Sequence, residues 1–254
     1  MDTLTHALSG ALIARATTPK PGTPDTIPLG RRVGLGFVAA ALPDLDVVTS
    51  WISPLSYLYY HRGVTHSILM LPLWALLLAY LSALVWRRGP SWRAYFGVFA
   101  WGLGIHIAGD LITSFGTLIF APFSDARYAL STTFIIDLWF TGIILAGLTA
   151  AALWRRSRVP ALAGVAVLAG YVGFQYALQQ RAVDFGVAYA QAQGLKNAEV
   201  AAQPRPVSPF NWMVIVDEGE RYHYSLVNLW REARDAPAGC RLHRAPRCAL
   251  SAAR

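Results

Sequence analysis

The chain has 254 residues, of which 55% are hydrophobic and 14% are charged, and its net charge is +8 at pH 7. A soluble globular domain is about 25% charged, so this composition argues against a purely soluble protein. A net positive charge also occurs in nucleic-acid-binding proteins, but the chain contains no nucleic-acid-binding motif. We therefore predict a membrane protein without a nucleic-acid partner.

Residues 3–16 are predicted to form a short helix. This apolar run is followed by Ala14-Arg15-Ala16, which loosely resembles a signal-peptide cleavage site. A secretory signal carries its positive charge before the apolar run, whereas here the charge follows it. We expect a retained, half-inserted helix, and His6 lies on it.

Five longer apolar stretches follow. Two of them are interrupted by proline or by ionisable residues: 33–52 by Pro43, Asp44 and Asp46, and 94–120 by His106 and Asp110. Three are nearly free of charge: 67–86, 134–154 and 159–178. About 20 apolar residues suffice for a helix to cross the ~30 Å hydrocarbon layer. The sequence thus predicts an all-α polytopic membrane domain of about five membrane helices.

The lysines and arginines of the short loops are distributed unevenly. Two, Arg62 and Arg127, lie on one side of the predicted helices. Ten lie on the other: Arg15, Lys20, Arg31, Arg32, Arg87, Arg88, Arg93, Arg155, Arg156 and Arg158. The positive-inside rule makes the side with ten cytoplasmic. Loops 53–66 and 121–133 and the chain after about residue 179 are then extracytoplasmic.

The composition shifts after residue 179, where we divide a transmembrane domain (1–179) from a small extracytoplasmic domain (180–254). NWMVIV, the turn at 217–219 and the alternating RYHYSLVNL predict a β-hairpin, within a small α/β or hairpin domain. Cys240 and Cys248 lie in this domain, where a disulfide and two reduced thiols both fit the sequence.

His106 and Asp110 are the strongest candidate metal ligands. Their i, i+4 spacing on a helix puts both side chains on one face, about 5–6 Å apart at Cβ. The alternative is a hydrogen-bonded pair or a proton relay inside the membrane. Ionisable groups at this depth are costly and need a reason to be there, and ligation of a metal is the simplest one.

The segment His61-Arg62-Gly63-Val64-Thr65-His66-Ser67 precedes an apolar stretch. Two histidines around a glycine turn can converge on one centre, and the following helix N-terminus favours an anionic oxygen. Arg62, with Thr65 or Ser67, would complete a phosphate clamp. The alternative is an interfacial loop whose histidines lie among the lipid headgroups.

Asp44 and Asp46 follow Pro43, which breaks the helix and is tolerated at membrane depth only beside protein or a watery cavity. Their carboxylates are candidate metal ligands, with Asp46 also a candidate general base; the alternative is a pair of interfacial acids.

His6 alone would be read as a core histidine. It becomes a ligand candidate because of the other polar residues.

Imidazole and carboxylate ligands together favour Zn²⁺, with Mn²⁺ and Fe²⁺ next, over Mg²⁺ or Ca²⁺. Seven candidates exceed the needs of one tetrahedral site, so one or two ions fit. The candidates are His6, Asp44, Asp46, His61, His66, His106 and Asp110. A divalent ion acidifies bound water and so supplies a nucleophile for hydrolysis.

Four motifs in this order, MDTLTHALSG, PDLD, HRGVTHS and HIAGD, resemble those of the bacterial inner-membrane, putatively metal-dependent hydrolases of the YdjM type. The resemblance covers about residues 1–120. The ligand order is also similar to that of zinc-dependent phospholipases C, which implies phosphoester hydrolysis. Unlike those enzymes, this chain has Ser114 at the position of a second histidine and no N-terminal tryptophan, so their trinuclear arrangement is not carried over.

We therefore predict a phospholipase-like, metal-dependent hydrolase of the inner membrane that acts on a lipid phosphoester, with Asp46, Arg62 and Thr65 in catalysis. The rival hypothesis is an ion transporter or metal-responsive binding protein that uses the same polar cluster.

Overall fold

The computed structural model describes residues 1–51, 53–195, 197–219, 221–232 and 243–246. Residues Cys240 and Cys248, and with them the disulfide hypothesis, lie outside the described residues. The described chain divides into two units. Unit 1 comprises Met1–Leu130 and Ile135–Tyr171, and unit 2 comprises Ser131–Phe134 and Val172–Arg254.

Unit 1 is helical. Its elements are α1 (Thr3–Ala16), α2 (Leu29–Ala41), a 3-10 segment (Leu42–Trp51), α3 (Pro54–Tyr60), a 3-10 turn (Val64–His66), α4 (Leu71–Val85), α5 (Trp92–Leu111), α6 (Leu138–Leu153) and the first part of α7 (Val159–Ala192). The predicted N-terminal helix is confirmed with the same bounds. It begins at the N-cap Asp2, whose side chain accepts a hydrogen bond from the backbone N–H of Thr5.

Helix α1 is enclosed by its neighbours, and eleven of its fourteen residues are buried. It approaches α2 closely because both helices have glycine at the contact: a Cβ on Gly10 would lie 2.1 Å from the Gly36 carbonyl oxygen. Small residues permit such close approach in membrane helices. A core of Ala14, Ala39, Tyr95 and Phe99, among others, joins α1, α2, α4 and α5.

The break predicted at Pro43 is confirmed, because α2 ends at Ala41 and a 3-10 segment follows. The apolar stretch 94–120 is not one helix, since α5 ends at Leu111. There the Thr113 hydroxyl donates to the Asp110 carbonyl oxygen at 2.8 Å, and Gly116 has a φ of +86°. This side-chain bond and the left-handed backbone turn the chain into a loop.

Within the described part of the chain, two helical segments are long and apolar enough to cross a membrane: Leu29–Trp51 and Val159–Ala192. The apolar helices α4 and α6 are shorter, with 15 and 16 residues. Leucines on the outside of α4, such as Leu73 and Leu81, are about half exposed. Such an apolar surface suits contact with lipid.

Unit 2 contains the C-terminal part of α7 and an antiparallel sheet in the order β1 (Glu199–Pro204), β2 (Asn211–Asp217), β3 (Arg221–Asn228) and β4 (His243–Pro246). The predicted hairpin is confirmed as β2 and β3, with Val214 opposite Ser225. Buried Trp212, Val214 and Val227 pack with Leu178 and Ala182 of α7. A short helix, α8 (Leu229–Glu232), follows β3.

Candidate metal centre

His106 and Asp110 lie in the last two turns of α5, and both side chains are fully buried. The i, i+4 spacing brings His106 Nε2 to 3.5 Å from Asp110 Oδ2. The other ring nitrogen, His106 Nδ1, lies 2.6 Å from the carbonyl oxygen of Ala40. A carbonyl only accepts, so Nδ1 carries the proton and the lone pair of Nε2 faces Asp110.

Asp44 reaches the same point because of the helix break before it. In a continuous α-helix the Ala40 carbonyl would accept from the residue four positions later, but the 3-10 segment leaves it to His106. Asp44 Oδ1 then lies 3.7 Å from His106 Nε2 and 3.8 Å from His66 Nε2. Asp44 Oδ2 is buried and has no hydrogen-bond partner in the described chain.

His66 enters the cluster from the turn before α4 and is fully buried. Its Nε2 lies 3.2 Å from Asp110 Oδ2. Its Nδ1 lies 2.9 Å from the Thr65 hydroxyl, which donates to Asp46 Oδ2 at 3.2 Å. Because that hydroxyl has one proton, it accepts from His66 Nδ1, and this too leaves an Nε2 lone pair on the cluster.

His6 comes from α1, where it is 1% exposed. Its ring stacks on that of His106 with centroids 3.9 Å apart, and its Nε2 lies 3.1 Å from Asp110 Oδ1. Gly109 makes room for this ring, because a Cβ there would lie 3.0 Å from His6 Cε1. The lone histidine of α1 is therefore part of the cluster.

Two cationic groups also contact Asp110. Arg62 Nη2 lies 3.0 Å from Asp110 Oδ1, and Arg62 Nη1 donates to the Thr113 hydroxyl at 2.9 Å. The amino nitrogen of Met1 lies 2.5 Å from Asp110 Oδ1. The sequence had given no signal for the contacts of Met1 and Thr113, since both depend on how α1 and α5 pack.

Asp46 and His61 lie beside this cluster and pair with each other, with His61 Nδ1 2.7 Å from Asp46 Oδ1. Asp46 Oδ2 accepts from the backbone N–H of Arg62 at 3.1 Å. His61 is partly exposed, and its ring stacks on Tyr57 with centroids 4.5 Å apart. This pair therefore forms a second layer around His66 through Thr65.

Four of the seven candidates form the tightest group: His6, Asp44, His106 and Asp110 each have a ligand atom within 4.8 Å of the others. Buried atoms at this group without a hydrogen-bond partner among the described residues include Asp44 Oδ2, His66 Nε2, His106 Nε2 and Asp110 Oδ2. Lone pairs that face one another in a buried site repel unless a cation lies between them. The donor set and these atoms fit a divalent metal ion.

Comparison with known proteins identifies a relative and a family for this chain. The uncharacterized protein YfhP of Bacillus subtilis (strain 168) is 25% identical over 188 residues. The alignment covers 71% of this chain and 55% of YfhP, so the chain spans about half the length of that relative. No solved structure matches the chain.

A family model described as "YdjM inner membrane protein" matches residues 1–182. The matched residues include all the motifs on which the resemblance was based and every candidate ligand. Because the match covers well over half of the chain, the chain belongs to the family of YdjM inner membrane proteins.

Proposed function

We propose that this protein is a membrane-embedded, metal-dependent hydrolase that cleaves a lipid phosphoester at the outer side of the inner membrane. The observation that carries the proposal is the convergence of buried imidazole and carboxylate atoms that lack a hydrogen-bond partner, from three separate segments of the described chain. His66 Nε2 and His106 Nε2 lie 3.2 and 3.5 Å from Asp110 Oδ2, and His106 Nε2 lies 3.7 Å from Asp44 Oδ1. These atoms supply the imidazole and carboxylate ligands that a divalent ion takes.

In this proposal the ligands are His6, Asp44, His66, His106 and Asp110, and the preferred ion is Zn²⁺, with Mn²⁺ or Fe²⁺ as alternatives. A bound divalent ion supplies Lewis acidity and lowers the pKa of water at the site. Asp46 orients the His66 ring through the Thr65 hydroxyl, which is hydrogen-bonded to both side chains. Hydrogen bonds from such outer groups orient metal-binding imidazoles.

The pair of Asp46 and His61 is suited to accept a proton at the edge of the site. A carboxylate bonded to Nδ1 of an imidazole fixes its tautomer, so that Nε2 keeps the lone pair that a proton acceptor needs. The side chains of Asp46 and His61 are 8% and 11% exposed. Arg62 has a buried Nε without a hydrogen-bond partner in the described chain. This donor is available to a phosphate oxygen.

An apolar cavity beside the cluster supports a lipid substrate. It has a volume of about 200 Å³ and is lined by Leu42, Pro43, Thr65, Trp74, Leu77, Leu78 and Leu103. Pro43 precedes the ligand Asp44, and Thr65 precedes His66. A headgroup at the metal would thus place its apolar tail against this cavity without leaving the hydrocarbon layer.

The proposed topology has about five membrane helices, formed by α2 with its 3-10 segment, α4, α5, α6 and α7. At 1.5 Å per residue a 15-residue helix is only about 22 Å long, so α4 needs flanking residues or local bilayer thinning to cross. Helix α1 then remains half-inserted. The ten basic loop residues on one side, against two on the other, orient unit 2 to the outside.

The function is tested with purified protein in detergent or nanodiscs. Metal content is measured first, and the metal-loaded protein is then offered phospholipids, isoprenoid phosphates and soluble phosphoesters, with released phosphate or headgroup as the readout. We expect turnover of a lipid phosphoester that stops on chelation and returns with metal. Metal uptake into proteoliposomes without turnover of any phosphoester would instead favour a transporter.

A further inference from the structure

A second cavity, lined by basic residues, lies at the end of unit 1 remote from the metal cluster. It has a volume of about 700 Å³. Five basic residues line it, Arg15, Lys20, Arg155, Arg156 and Arg158, and none of its lining residues is acidic. An unbalanced group of five cations around one cavity is suited to an anionic ligand.

The positions of the two sites along the helices show that they are separate. His6 and Arg15 lie nine residues apart on α1, which corresponds to about 14 Å along the helix axis. Leu29, which lines the cavity, begins α2, whereas Ala40, which contacts His106, lies near the end of α2. The cavity is therefore not an extension of the metal centre.

Two of the lining segments are fixed to each other by guanidinium groups that donate to backbone carbonyls. Arg15 is 6% exposed, and its Nη2 donates to the carbonyl oxygens of Arg155 and Ser157. Arg158 Nη1 donates to the carbonyl oxygen of Thr18 at 3.0 Å. These bonds join the end of α1 to the loop between α6 and α7 and so give the cavity a fixed wall.

Other cations of the cavity remain available to a ligand. Lys20 and Arg156 are exposed, and neither side chain has a hydrogen bond or ion pair to the described residues. A planar guanidinium and a lysine ammonium together match the oxygens of a phosphate group.

We propose that this cavity binds a phosphate-bearing anion, either the headgroup of an anionic phospholipid or a soluble phosphate compound. The competing explanation is that these residues serve only as a topological signal. Such a signal depends on the number of positive charges in the loops and not on their convergence. The two explanations therefore predict different effects on phosphate binding when one particular pair of positive charges is removed.

The test compares two double variants of the full chain. Lys20→Ala with Arg156→Ala removes two cations from the cavity. Arg87→Ala with Arg88→Ala removes two from another loop on the same predicted membrane side. Each protein is placed in phosphatidylcholine nanodiscs and titrated calorimetrically with inorganic pyrophosphate. In parallel, nanodiscs with phosphatidylglycerol are analysed by native mass spectrometry for lipid retained after release from the disc.

We expect saturable binding in at least one arm, and the arm that responds identifies the source of the phosphate. The cavity variant should bind about tenfold more weakly, a loss of about 1.4 kcal/mol, while the Arg87/Arg88 variant stays within about twofold. Wild-type metal content in both variants shows that the fold is intact. If the cavity variant misfolds, Arg156→Lys, which keeps the charge, must bind more tightly than Arg156→Ala. The proposal is overturned if neither probe binds saturably or if both double variants lose affinity equally.

Discussion

His106 Nδ1 lies 2.6 Å from the carbonyl oxygen of Ala40, and this hydrogen bond ties α5 to the end of α2. It determines which nitrogen of His106 faces Asp44 and Asp110. The carbonyl is available because the helix breaks at Pro43. A backbone feature of one helix thus sets the protonation pattern of a side chain on another.

The first prediction concerns this break. In Pro43→Ala, the new N–H permits α2 to continue, and the following N–H groups then compete with His106 for the Ala40 carbonyl. We expect a lower metal content in well-folded protein, measured by elemental analysis. Pro54→Ala is the matched control, because Pro54 begins α3 and is exposed. Equal metal content in both variants would show that the break does not position the site.

The second prediction concerns the hydroxyl between His66 and Asp46. Thr65→Val keeps the shape of the side chain but removes the hydroxyl that joins His66 Nδ1 to Asp46. Loss of such an outer contact lowers metal affinity by about 10–100-fold. Thr65→Ser retains the hydroxyl and should bind nearly as wild type. Competition with a chromogenic chelator measures both, and identical affinities of the Val and Ser variants would remove Thr65 from the site.

The third prediction concerns Arg62 and the charge of Asp110. Arg62→Gln removes a buried guanidinium from a fully buried carboxylate, and breaking such a pair costs about 3–5 kcal/mol. A bound cation offsets the same charge, so added metal should restore part of the lost stability. Thermal unfolding in detergent with chelator or with metal tests this. If added metal does not reduce the loss of stability in Arg62→Gln, then Arg62 and the ion act independently.

The fourth prediction concerns the α1–α2 contact that places His6. The Cβ of Gly10→Ala would meet the Gly36 backbone, so α1 must shift. Overpacking of this kind costs about 1–3 kcal/mol, and the displaced His6 should lower metal affinity as well. Gly30→Ala is the control, since nothing lies within 4 Å of a Cβ there. Normal metal affinity in a destabilised Gly10→Ala protein would exclude His6 as a ligand.

The fifth prediction concerns orientation. A reporter enzyme that folds only outside the cytoplasm should be active when fused at Gly194, just after α7, and inactive when fused at Gly89. The converse pattern would place the metal centre at the cytoplasmic side.

Local patterns in the sequence predicted much of this structure. The i, i+4 spacing found His106 and Asp110, proline marked the break before Asp44, and alternation found the β2–β3 hairpin. These features depend on residues close in sequence. The hydroxyl link from Thr65 to Asp46 and the contact of Arg62 with Asp110 were not predicted in that form, because they depend on how separate helices pack. Likewise, α7 continues past residue 179 to Ala192, since its last turns pack against the sheet of unit 2.

The most direct test of the metal centre is the metal stoichiometry of Asp110→Asn. This change keeps the size and polarity of the side chain but removes the charge that faces His6, His66 and His106. Asp137→Asn is the control, because Asp137 is also buried but caps α6, where its side chain accepts from the backbone N–H of Phe140. We predict that Asp110→Asn loses bound metal and all turnover while Asp137→Asn retains metal. Wild-type metal stoichiometry in well-folded Asp110→Asn protein would contradict the proposed centre.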